Sequence, residues 1–182
     1  NFLVPMFYAY TGVASDFAFN AANSTGVMIH VNGSPPKLSA AKYFHNDPTS
    51  KWRRWGDPDN VWPGGGVSDT NILNPSTSVY GYSKPQMVHL GGGNYLAALG
   101  YGESYSTQFI TPARYLEGAT PKWQWWDGSA WQEGGSYAHA SLDSLASPLN
   151  PFNLTRLADG QAMLTFFRRD TGNPGYIYAK IY

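Results

Sequence analysis

No cysteine occurs in the 182 residues, so neither a disulfide framework nor a thiolate metal site can be built. That excludes the small disulfide-stapled class without excluding secretion. Charge is scarce as well. Only 13% of residues are Asp, Glu, Lys or Arg, about half the usual share, and the two signs cancel to a net charge of zero. The densest basic group is Lys51, Arg53 and Arg54, interleaved with tryptophan, so no nucleic-acid partner is expected. No apolar run approaches about 18 residues, which excludes a membrane-spanning helix. Helical periodicity is missing too, and so are a phosphate loop, a nucleophile elbow and a dinucleotide fingerprint.

Aromatic residues are abundant: they make up 16% of the chain, with 7 Trp, 13 Tyr and 9 Phe. Such a chain can fill a core and still have rings for its surface. Three glycine turns, each followed by an apolar run, recur at Gly26, Gly93 and Gly160, with spacings 93 − 26 = 67 and 160 − 93 = 67. Equal spacing points to internal repeats. Their boundaries fall at about residues 16–82, 83–149 and 150–182 within one all-β domain, 1–182.

Each repeat reads as short strands separated by turn chemistry. In the first, Phe17 and Phe19 alternate with small or polar residues, then come 27–31, Leu38 to Phe44 and the Lys51–Trp55 segment. The second gives 86–90, 95–99, 109–116 interrupted at Pro112, and 122–126. Both fourth segments read Lys-Trp-x-x-Trp and are followed by a further tryptophan, Trp62 or Trp131. The third gives 152–157, 163–167 and 176–182, and has no fourth. The third strands align as Ala41-Lys42-Tyr43-Phe44, Ala113-Arg114-Tyr115-Leu116 and Ala179-Lys180-Ile181-Tyr182.

Four antiparallel strands per unit predict a β-propeller-like fold of about three four-stranded blades; a β-sandwich or jelly roll is the alternative. Three blades are too few to close, because four to eight are usual. Self-association or a partner fragment is therefore expected to complete the assembly. The aromatic run at 1–10 reads as a spare strand that completes the last blade, in its own chain or in a neighbouring copy.

Leu157-Ala158-Asp159-Gly160, an apolar strand, a polar loop and Ile177-Tyr178-Ala179-Lys180-Ile181-Tyr182 resemble repeats of large secreted bacterial surface and adhesin proteins, as does Pro85 to Leu116 with Gly92 where Asp is usual. Trp126-Asp127-Gly128-Ser129-Ala130-Trp131 is similar to blades of bacterial sugar-binding propellers, although its spacing departs from the sialidase-type Asp box. The resemblance implies an extracellular location, or one on a cell or virion surface.

Carbohydrate binding is expected at Trp52, Trp55, Trp123, Trp125, Trp126 and Trp131, because an indole face matches the apolar face of a sugar and its N–H can bond a hydroxyl. Alternation along 122–126 sends Trp123 and Trp125 one way and Trp126 the other, so one set is expected in the core. Arg114 is the candidate for gripping an acidic sugar, and the aligned Lys42 and Lys180 suggest an axial ring or groove. No catalytic residue is assigned. Asp57, Asp59, Asp69, Glu103, Asp127 and Glu133 are loop carboxylates, and His89, Tyr101, Tyr105 and Arg114 would suit a lyase if clustered. No metal set and no cofactor are expected, apart from a weak calcium candidate at Asp57 and Asp59. The leading reading is a non-catalytic module binding glycan or a cell-surface polysaccharide. A structural subunit of a fibre, tail or shell and a fragment of a glycoside hydrolase or lyase are the alternatives.

Overall fold

The computed structural model describes residues 15–32, 37–48, 52–55, 81–102, 108–133, 142–145, 152–168 and 175–182. They form three antiparallel sheets and no helix. The first sheet runs in chain order, β1 (Ser15–Asn20), β2 (Thr25–Asn32), β3 (Lys37–Phe44) and β4 (Trp52–Arg54). The second repeats that order with β5 (Gly81–Gly91), β6 (Asn94–Gly102), β7 (Gln108–Leu116) and β8 (Lys122–Trp126), then adds β9 (Trp131–Gln132) and β10 (Asp143–Leu145). β11 (Phe152–Arg156), β12 (Ala162–Arg168) and β13 (Tyr176–Ile181) make the third. The segment expected at 1–10, together with Asp57, Asp59, Trp62, Asp69, Glu103 and Tyr105, lies outside the described residues.

Pro112 does not interrupt β7, contrary to expectation. β8 pairs with Ala113 to Leu116 and β10 with Gln108 to Ile110 along the same edge of β7. Ile110 and Pro112 direct their backbone groups to that edge, since the Ile110 carbonyl accepts from Leu142 N–H at 2.7 Å. Proline therefore sits in the gap between β10 and β8, where no ladder donor is required.

The glycine spacing is also only partly structural. Gly93 and Gly160 occupy turns at φ +79° and +87°, the left-handed region that favours glycine. Gly26 lies inside β2 opposite Tyr43, and Tyr95 fills the matching place opposite Tyr115. What requires glycine at 26 is the Phe17 ring, which a Cβ would meet at 2.3 Å. In the third repeat the Leu157–Gly160 motif is a turn: Asp159 Oδ1 accepts Gln161 N–H at 3.0 Å, and Gly160 N–H donates to the Leu157 carbonyl at 3.1 Å.

The second sheet is the middle layer. On one face Tyr95, Leu99, Tyr115, Trp123 and Trp125 pack against Val27, Ile29, Leu38, Ala40 and Trp55 of the first sheet. On the other, Ala98 and Ile110 pack against Phe152, Leu154, Leu164 and Phe166 of the third. The packing sense is not constant. Lys42 faces the following sheet at Glu117, and Arg114 faces the following sheet as well. Lys180 instead faces the preceding one, donating to the Leu142 carbonyl at 2.8 Å. The three aligned cations thus lie on two separate junctions and do not ring one axis.

Candidate functional site

Alternation divides the tryptophans as expected, and the division decides which of them can meet a ligand. Trp55, Trp123 and Trp125 are only 5%, 4% and 2% exposed. Trp55 meets Trp123 edge-on at 6.5 Å between ring centroids, with Tyr115 5.2 Å from Trp123. These rings fill the gap between the first two sheets and have no open face. Trp52, Trp126 and Trp131 remain half-buried. Trp52 is on the far side of the first sheet, 5.1 Å from Tyr43, whereas Trp126 and Trp131 meet at 5.6 Å across the β8–β9 turn.

That turn is built around one carboxylate. Asp127 Oδ1 accepts the N–H of Ser129 at 2.7 Å, the N–H of Ala130 at 2.8 Å and the Ser129 hydroxyl at 2.9 Å. Its Oδ2 accepts from Gln132 Nε2 at 2.6 Å. The bonds from Ala130 and Ser129 hold its carboxyl well below the usual range. Asp127 is thus a turn organiser that holds Trp126 against Trp131. A depressed folded-state value contributes stability that is complete above the ordinary value of 3.8 and is lost as pH falls below it. Asp127→Ala is expected to lower the thermal midpoint at pH 7, with the gap to wild type shrinking in acid. A gap that is unchanged or widens between pH 5 and pH 2 would show that the carboxylate does not hold the turn.

Beside the turn lies a cleft of about 510 Å³, lined in part by Leu90, Asn94, Leu96, Arg114, Trp131 and Tyr182. Its floor is the face of the second sheet turned towards the third, and Gly160 and Tyr182 of the third sheet supply the opposite rim. Arg114 crosses it with the guanidinium carbon 4.4 Å from the Trp131 ring centre. Its Nε donates to Gln124 Oε1 at 2.7 Å. Gln124 Nε2 in turn donates to Glu133 Oε1 at 2.7 Å, and Lys122 Nζ bonds the same oxygen at 2.5 Å. Those donors, Lys122 first, hold the Glu133 carboxyl below its usual value. Burial lowers Arg114 from its ordinary value, with Glu133 opposing, and a guanidinium stays charged regardless. Stacking on the ring and the Gln124 bond fix the side chain while its two Nη groups have no bond from the described residues.

The lyase arrangement is not assembled. His89 lies beside Tyr95, 4.8 Å between ring centres, on the face turned to the first sheet, while Arg114 occupies the opposite face. Burial is the main cause that lowers His89, followed by Arg156, with Glu117 opposing. Tyr101 is core. Burial, reinforced by Glu117, pushes the Tyr95 hydroxyl up to about 12. Asp127 and Glu133 are each engaged in fold contacts instead of facing one bond. Among the described residues no group of acidic and histidine side chains is arranged to hold a metal, and the calcium candidate at Asp57 and Asp59 is outside them.

Sequence reasoning named Arg114, Trp126 and Trp131 but missed Asn94, Leu96 and Tyr182. The only signals available were the residue after a triple glycine and the final member of the Ala-Lys-Ile-Tyr repeat. No protein family, curated protein or solved structure matches the chain.

Proposed function

We propose that the chain is a non-catalytic carbohydrate-binding module whose ligand is an acidic sugar. The observation that supports this reading best is Arg114, pinned over Trp131 by Gln124 with its Nη groups left for a ligand in a cleft lined besides by Asn94 and by apolar and aromatic side chains. A guanidinium fork matches a carboxylate in a bidentate pair, and Tyr182, Leu96 and Leu116 offer apolar surface to a sugar ring. The chemistry chooses a uronate-type carboxylate over a neutral sugar. Resemblance to adhesin repeats supports a place outside the cell or on a cell or virion surface. Within this reading the first two sheets are successive blade-like units, and the third closes onto the second in a sandwich-like way. The enzymatic reading has less support, because its described candidate groups, His89, Tyr101, Arg114, Asp127 and Glu133, are buried, on opposite faces or engaged in fold contacts.

The test is calorimetric titration with a uronate-containing oligosaccharide and a neutral one of equal length. The acidic ligand is expected to bind and the neutral one to bind at least tenfold more weakly, since a charge-assisted bond contributes about 1.5–3 kcal/mol. Arg114→Ala should abolish the preference, and Trp131→Ala should weaken both ligands. Equal binding of the two oligosaccharides, or a preference that survives Arg114→Ala, would sink the assignment.

A further inference from the structure

The third sheet brings a further cation to the cleft. Along β11 the side chains of Phe152 and Leu154 are buried against the second sheet, and alternation places Arg156, the last residue of that strand, on the same face. Arg156 lies opposite Ala162, which is fully buried, and Ala162 exchanges two backbone hydrogen bonds with Tyr182. Arg156, Ala162 and Tyr182 thus form one row across the third sheet, and Tyr182 lines the cleft. Phe152 and Leu154 are covered, whereas Arg156 is exposed.

Its guanidinium meets the cleft at the β5 end. Gly91 of β5 lines the cleft, and Arg156 Nη2 stands 3.8 Å from the place a Cβ on Gly91 would take. The charge reaches His89 two residues earlier, where Arg156 follows burial among the causes that lower the ring. Among the described residues no carboxylate pairs with Arg156 and no group hydrogen-bonds its guanidinium. Asp159, in the adjoining turn, is engaged instead by Gln161 N–H at 3.0 Å. No carboxylate is among the described residues that line the cleft, so both arginines act on it uncompensated from within.

The two guanidiniums are too far apart to share one anion. β6 lies between β5 and β7, and neighbouring strands are about 4.8 Å apart, so Gly91 and Arg114 are separated by about 10 Å across the sheet. Arg114 leans further from β5, over Trp131 of β9. A bidentate arginine–carboxylate pair needs N–O separations of about 2.7–2.9 Å, so one carboxylate satisfies only one of the two. We infer that Arg156 is a second anion subsite of the cleft, and that the ligand is a chain carrying acidic groups on more than one sugar unit. This rests on the reading of the cleft as an acidic-sugar site. It extends that reading from one uronate at Arg114 to a polyuronate laid over Leu96 of β6, from β7 to β5.

Calorimetric titration with three galacturonate oligomers of equal length tests this. One has every carboxylate free, one has a single free carboxylate with the rest methyl-esterified, and one is fully esterified. Wild type is expected to bind the fully acidic chain about tenfold more tightly than the singly acidic one, through the second charge-assisted pair. Arg156→Gln should erase that step and keep both the preference for the singly acidic over the esterified chain and the wild-type circular dichroism, because the side chain is exposed. Arg156→Lys should restore part of the step, as a point charge without the fork. Arg168→Gln removes the same charge at the far end of β12 and should leave the step intact. A wild type without the step, a step that survives Arg156→Gln, or one that Arg168→Gln lowers equally overturns the inference and leaves the Arg114 site standing. Equal binding of the singly acidic and esterified chains by wild type would instead bring down the Arg114 site, and this inference with it.

Discussion

Tyr115→Ala is expected to cost about 3–5 kcal/mol, the loss typical for truncating a fully buried large aromatic. Tyr115 has no exposed surface and touches three other rings, Trp123 at 5.2 Å, Tyr95 at 5.6 Å and Trp55 at 6.1 Å. Its removal leaves a cavity at the one place where β2, β3, β6, β7 and β8 all contribute side chains to a common core. Against a typical total stability of about 5–15 kcal/mol, that loss would bring the fold close to its limit. Tyr115→Phe keeps the ring contacts and should retain most of the stability. Urea unfolding of the three proteins checks the order. A Tyr115→Ala midpoint within experimental scatter of wild type would mean that the first two sheets do not pack on this ring.

Glu117→Ala is the second large effect, argued from burial of charge. Glu117 follows β7 and pairs with Lys42 of the first sheet, while its Oε2 accepts from Asn23 Nδ2 at 3.1 Å. The Lys42 side chain is 8% exposed and that of Glu117 17%. Removing the carboxylate leaves a nearly buried ammonium 5.0 Å from the Phe44 ring, a ring it shares with its cross-strand neighbour Arg53 at 4.4 Å. Breaking a buried pair costs about 3–5 kcal/mol, and the partial exposure of Glu117 places this case at the lower end. Lys42→Met should cost less, because Glu117 would keep Asn23 and some water. A double variant, Lys42→Met with Glu117→Leu, should recover much of the loss, since two apolar groups replace two desolvated charges. Thermal unfolding of all three decides it. Equal losses for the two single variants, with no recovery in the double, would contradict this reading of the junction.

Both predictions change how tryptophan substitutions must be interpreted. Trp123 shares the Tyr115 cluster, so lost binding in Trp123→Ala would report unfolding as readily as a lost contact. Trp131, half-buried and at the cleft, separates the two effects.

Strand identity was legible because alternation and turn chemistry are local. Phe17 and Phe19, the run at 27–31 and the repeated Ala-basic-large-large segments fall in strands as read, except that Tyr182 follows the end of β13. The Lys-Trp-x-x-Trp repeat was legible in register too, Trp52 and Trp123 both pairing opposite the tyrosine that follows the repeated cation. The role of Gly26 was not legible. A glycine that makes room for a ring looks the same in sequence as one that turns the chain, and only the Phe17 contact distinguishes them. Pro112 misled for a related reason, because whether a strand tolerates proline depends on what lies along its edge, and β10 comes from a segment some thirty residues later.

Which face of each sheet meets which neighbour was the least legible feature. Lys42, Arg114 and Lys180 align in sequence, yet the third sheet turns its aligned face back onto the second. That reversal brings Tyr182 over the floor containing Arg114 and creates the cleft. The candidate site is thus a property of sheet packing, which strand periodicity alone does not encode.

The most direct measurement is a two-dimensional spectrum of the tryptophan indole N–H groups during titration with a uronate-containing oligosaccharide. Seven indoles give seven resonances to assign. Binding at the cleft predicts concerted shifts of Trp131 and Trp126, small or no change at Trp55, Trp123 and Trp125, and loss of the response in Arg114→Ala. Shifts confined to Trp52, or no shift at any indole with acidic sugar in excess, would contradict the account.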